Sequence, residues 1–81
     1  MNIYKIAKPK LERVTEAPMT LKEMQDFVGG LIEVVYLGDD QLVVNEEGLL
    51  RGLPYNSEAS ELSGRRIVGD ALLLSGEGRM K

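Results

Sequence analysis

Leu21, Met24, Phe27 and Val28 recur at the spacing of one helical face, while Lys22, Glu23, Gln25 and Asp26 fill the opposite face. Thr20-Leu21-Lys22-Glu23 is a capping box: the threonine hydroxyl can accept from the Glu23 amide while the Glu23 carboxylate reaches back to the Thr20 amide. A helix is therefore predicted to start at Leu21, and Gly29 or Gly30 supplies its left-handed stop. The period then changes. Leu31 to Leu37 concentrates β-branched and aromatic residues, Gly38-Asp39-Asp40 has turn chemistry, and Gln41 to Asn45 resumes strand composition, which predicts an antiparallel pair. Asn45-Glu46-Glu47-Gly48 reads as a type I turn, so Leu49 to Leu53 is expected to run back along Val43 as the third strand of a meander. Ser57 to Leu62 is a short second helix capped by Asn56 or Ser57 and ended by Gly64. Arg66 to Leu74 is the last strand, apolar enough to be central, and its Gly69-Asp70 step marks a bulge or a close backbone approach.

At the amino end, Met1 to Ile6 reads as a strand, and Leu11 to Val14 either extends it or forms a hairpin partner. Residues 76–81 read as a mobile tail. The expected fold is α+β: a single domain over residues 1–81 with its core in 1–75, built on a small, mostly antiparallel sheet with one main helix and a short second helix.

Size limits this design. A chain of 81 residues hides only about 60% of the surface that its unfolded form exposes, so self-association is a natural source of extra stability and a homo-oligomer is expected. Cysteine, histidine and tryptophan are all absent. No disulfide or thiolate zinc site can contribute, and catalysis would fall to carboxylates, lysines, tyrosines or hydroxyls. The expectation is a non-enzymatic protein with no catalytic residue, no metal and no cofactor. Apolar runs such as Ala71 to Leu74 are far too short to span a bilayer, and Met1-Asn2-Ile3-Tyr4-Lys5 lacks the apolar centre of a signal peptide, so a cytoplasmic protein without membrane contact is expected. The net charge of −3 argues against a surface that binds DNA or RNA by neutralising phosphates.

Charge distribution directs attention to one region, because Arg51, Arg65, Arg66 and Arg79 all lie in the second half of the chain. Arg51, Tyr55, Asn56, Arg65 and Arg66 form the best candidate constellation. A tyrosine ring can stack on a base, an asparagine amide both donates and accepts, and guanidinium forks match phosphate oxygens. Asn45 and Tyr36 are candidates to complete the pocket. A plainer assignment makes Tyr55 a packing residue and Asn56 a helix cap. Glu33 and Asp70 interrupt apolar strands in the manner of tuned acids, which a solvent-facing strand position or a buried hydrogen bond explains equally well. Glu46 and Glu47 read as turn residues in water.

Phe27-Val28-Gly29-Gly30-Leu31-Ile32-Glu33, Val44-Asn45-Glu46-Glu47-Gly48, Gly52-Leu53-Pro54-Tyr55-Asn56 and Ile67-Val68-Gly69-Asp70-Ala71-Leu72 follow one another in the order found in a family of phages and mobile elements. From Leu21 to Leu74 the chain resembles that family, the domain of unknown function numbered 3846, with Leu31 standing where the family usually has an aromatic residue. The resemblance supplies no activity. It implies an accessory role in the cytoplasm of a host bacterium. By analogy with other small phage proteins, the expected function is a homo-oligomer that sequesters a nucleotide-derived immune signal, a cyclic nucleotide or an ADP-ribose derivative, and so inhibits host defence. The alternative is an inhibitor that covers a host enzyme or defence protein with a sheet edge or helix face and takes no small molecule. A cleaving enzyme built on Glu33 or Asp70 is a third possibility.

Overall fold

The computed structural model describes residues 8–80, and the strand expected at Met1 to Ile6 lies outside them. Along the chain come β1 (Leu11–Val14), α1 (Leu21–Val28), β2 (Ile32–Leu37), β3 (Asp40–Asn45), α2 (Ser57–Ser63) and β4 (Ala71–Leu74), followed by a 3₁₀ turn at Gly76–Gly78. The strands form one sheet in the order β1-β4-β3-β2. β2 pairs antiparallel with β3, and β3 antiparallel with β4, while β1 joins β4 in parallel. The α+β class and the two helices are as the sequence predicts. Among the described residues Leu11–Val14 pairs with β4 alone, and whether it extends or pairs with the strand expected at Met1 to Ile6 lies outside them.

The capping box forms in full: the Glu23 amide donates to Thr20 Oγ1 at 3.1 Å, and the Thr20 amide donates to Glu23 Oε1 at 2.8 Å. Gly29 takes the left-handed cap at φ 82°. Met24 and Val28 bury the α1 stripe against Val43, Leu72 and Leu74, with Phe27 half-buried beside them and Leu21 left exposed. On the opposite face of the sheet, Leu42, Val44, Ala71 and Leu73 pack beneath Ala59 and Ile67. β4 is buried at all four positions, as a strand covered on both faces must be.

The meander does not extend to a third strand at Leu49 to Leu53. After Asn45 the chain coils through successive turns, with the Arg51 amide donating to the Glu47 carbonyl at 2.9 Å and the Leu53 amide to the Gly48 carbonyl at 3.1 Å. The place beside β3 goes to β4, which pairs Leu72 with Val43 and Leu73 with Leu42. A segment apolar on both faces gains more from that central position than one interrupted by Arg51 and Gly52. Leu49 and Leu50 are left 66% and 88% exposed.

β4 itself is shorter than the expected strand, beginning at Ala71, while Val68 makes an isolated bridge to Tyr55. The Gly69 step is a close approach: a Cβ there would lie 2.7 Å from Leu53 Cδ1. Residues 76–80, within the stretch read as a tail, lie against the sheet. Met80 packs on the α1 side of the sheet, and its amide and carbonyl bond the Gln41 side chain at 2.7 and 3.2 Å. Gly78 is buried, and a Cβ at this position would overlap the Val14 carbonyl group. Gly78→Ala should therefore force β1 and the 3₁₀ turn apart, lowering stability by about 2 kcal/mol, measurable as a lower urea midpoint with an unchanged slope.

Candidate functional site

The region between β3 and β4 is held by buried asparagines. Asn56 is 1% exposed. Its Oδ1 accepts from the Ala59 amide at 3.0 Å, capping α2, while Nδ2 donates to the Gly69 carbonyl at 2.8 Å and the Lys10 carbonyl at 3.1 Å. Asn45 uses both ends of its amide as well, donating to the Val28 carbonyl at 3.0 Å and accepting from the Glu47 amide at 2.8 Å. Arg51 Nη1 donates to the Gly29 carbonyl at 2.6 Å, so two side chains of the 45–51 region hold carbonyls freed at the end of α1. Ser60 performs a similar task beside α2: its Oγ accepts from the Ile67 amide at 2.8 Å and lies 3.2 Å from the Ile67 carbonyl. These bonds fix the loop that carries Arg65 and Arg66.

The constellation read from sequence divides accordingly. Tyr55, Arg65 and Arg66 are brought together and line one open concavity with Ser60, Glu61 and Gly64. The Tyr55 side is 54% exposed. Asn56 is spent on the backbone, and Arg51 lines a separate hollow beside the end of α1. Asn45, also bonded to the backbone, lines a cleft together with Arg65 and Arg66. Tyr36, 70% exposed, belongs to neither concavity; it lies on β2, opposite Gln41. Glu33 and Asp70 line different cavities, and Asp70 Oδ1 accepts from the Lys10 amide at 2.8 Å beside the start of β1.

Arg65 and Arg66 also border a more enclosed cleft of about 430 Å³. Val35, Val44, Ile67 and Val68 give it apolar lining, Leu49 and Leu50 stand at its mouth, and Glu33 and Glu46 contribute carboxylates. Among the described residues neither guanidinium has a carboxylate within ion-pair distance; the one such pair is Lys22–Asp26 at 3.5 Å. The two concavities thus share an arginine pair whose guanidiniums have no hydrogen-bond or ion-pair partner among the described residues. Sequence reading missed most of the cleft because its lining comes from segments distant along the chain. One signal was available: Glu33 and Val35 are two apart on a strand and so share a face.

One protein-family model matches the chain over residues 1–81, a span wider than the Leu21–Leu74 motifs. The chain belongs to the family Domain of unknown function (DUF3846). No curated protein and no solved structure matches it. In this DUF3846 chain no group of three or more His, Cys, Asp or Glu residues is arranged to hold a metal, among the described residues. No helix among them is long and apolar enough to cross a membrane.

Asn56→Ala would remove the α2 cap and leave the buried Gly69 carbonyl without this donor, while the Lys10 carbonyl keeps the Ala71 amide at 2.8 Å. Its expected cost is about 3 kcal/mol, against less than about 1 kcal/mol for Arg51→Ala at an exposed site, and thermal melting of the two variants checks the difference.

Proposed function

We propose that this chain is a non-enzymatic, cytoplasmic binding protein that sequesters a nucleotide-type ligand at the Arg65–Arg66 ridge, as an accessory factor against a host defence signal. The supporting observation is the uncommitted arginine pair set between an exposed tyrosine ring and an apolar cleft that also carries two carboxylates. A nucleotide needs all three chemistries. Its phosphate takes guanidinium donors, its base takes a flat apolar or aromatic surface, and the donor groups of the base edge take acceptor-only carboxylates such as Glu33 and Glu46. The cleft volume of about 430 Å³ lies within the range of small-molecule sites. The anti-defence role rests on the analogy drawn from phage proteins.

A second reading is favoured by Leu49 and Leu50, whose exposure at the cleft mouth suits an apolar protein segment. On that reading the chain inhibits a host protein and needs no small molecule.

Native mass spectrometry of protein purified from cells, followed by calorimetric titration with a panel of cyclic nucleotides and ADP-ribose derivatives, tests the proposal. One member of the panel should bind and be recovered intact after the protein is heated. Arg65→Ala and Arg66→Ala should each weaken it by roughly tenfold while the melting temperature moves by less than about 2 °C, since both side chains are exposed and unpaired among the described residues. Recovery of a chemically altered ligand would identify an enzyme instead, and binding indifferent to both substitutions would remove the ridge from the site. If the whole panel stays free and Leu50→Asp abolishes capture of a defined host protein, the second reading replaces the first.

A further inference from the structure

β2 is an edge strand with its ladder half used. The Glu46 amide donates to the Leu31 carbonyl at 2.8 Å, and Leu31 and Glu46 stand opposite one another in the register that pairs Ile32 with Asn45. In an antiparallel ladder bonded pairs alternate, so Glu33, Val35 and Leu37 direct their backbone groups at β3 and Ile32, Val34 and Tyr36 direct theirs outward. Nothing among the described residues pairs with that outer edge. The usual protections are missing: Ile32–Leu37 contains no proline and no lysine, and its one charge, Glu33, points to the cleft side. Tyr36 stands on the edge 70% exposed.

We propose that a second copy of this chain pairs with β2 about a two-fold axis through Val34, joining the two sheets and merging their clefts into one site. This rests on the cleft assignment above and extends it. Self-pairing must match outward residues with outward residues. With Val34 opposite Val34 of the second copy, Ile32 falls opposite Tyr36, and all three outward residues of each strand find partners. The same register sets Glu33 opposite Val35 of the second copy, whereas a shift of two residues one way would put Glu33 against Glu33 and incur like-charge repulsion. Each exposed Tyr36 ring gains the half-buried Ile32 of the other copy as an apolar neighbour.

The two-fold axis stands perpendicular to the joined sheet, so the cleft faces of both copies lie on one side. Glu33 and Val35, which line the cleft of one copy, are then next to Val35 and Glu33 of the other. A site open in one subunit becomes a trough with apolar residues and carboxylates at its centre and an Arg65–Arg66 pair towards each end. Its ligand class is a nucleotide with phosphate groups at two positions, bound once per pair of chains.

Edge pairing of six-residue strands is a small interface, so dimerisation with a dissociation constant of about 1–100 µM is expected. Sedimentation velocity on the ligand-free full chain over that range should show conversion from 9.0 kDa to twice that mass. Tyr36→Pro removes an outward amide that β3 does not use, and Tyr36→Lys places a charge on the edge; each should raise the dissociation constant at least about tenfold. Circular dichroism confirms that the variants fold, and the lysine variant keeps the test valid if proline disturbs β2. Because the sequence has no cysteine, Asp39→Cys places a single spin label in the exposed hairpin turn, and the proposed register puts the two labels roughly 35 Å apart. A monomer at every concentration, a dimer unaffected by both Tyr36 variants, or a label separation displaced by about 7 Å or more overturns the proposed interface. Titration separates this inference from the functional one. A dimer that binds no nucleotide refutes the sequestration reading alone, and one ligand per chain with undiminished affinity in the Tyr36 variants refutes the shared trough alone.

Discussion

The side-chain amide of Asn56 is the point on which the functional half of the molecule depends. One buried group caps α2, holds the carbonyl that precedes β1 and holds the carbonyl that precedes β4. The Asn56 amide adds a fourth tie, to the Ile67 carbonyl at 2.8 Å. Buried amides left without partners are costly, so these bonds stand or fall together and set α2 in one position over the sheet. With α2 fixed, Gly64 turns the chain, and Arg65 and Arg66 have no alternative but to project beside Tyr55.

The same economy appears at the end of α1. Asn45 and Arg51 answer the carbonyls of Val28 and Gly29, which anchors the turns from Glu47 to Gly52 where the β2–β3 ladder has ended. A rigid non-strand excursion leaves Leu49 and Leu50 out in front of the sheet and creates the mouth of the cleft. Polar residues that a functional search would assign to a ligand are therefore scaffold, and the residues free to bind are those the scaffold leaves uncommitted.

Local signals in the sequence were sufficient for the local structure. Thr20 with Glu23, the stripe through Met24 and Val28, the Gly38 hairpin and the Asn56 cap each act over a few residues and were legible from their spacing. Leu49 to Leu53 misled because strand composition says nothing of which of two apolar segments will occupy the place beside β3. That contest is decided by burial on both faces, where Ala71–Leu74 is superior. Among the site residues, Tyr55, Arg65 and Arg66 were legible as a cluster because a seven-residue helix folds their segment back on itself. Asn45, Asn56 and Arg51 have the right chemistry for a ligand, but their hydrogen bonds span 13 to 46 residues where they reach beyond their own turns, and no pattern in one sequence reveals such partners.

The central place of β4 also governs the order in which the molecule can be made. As the chain emerges during synthesis, β1 has no neighbour among the described residues and β3 has one bare side until residues 71–74 arrive. Before then, the hairpin of β2 and β3 is the largest paired unit available, and Leu42 and Val43 still await half of their cover. The sheet can therefore be completed only when this late segment takes its place between β1 and β3, through contacts between segments distant along the chain.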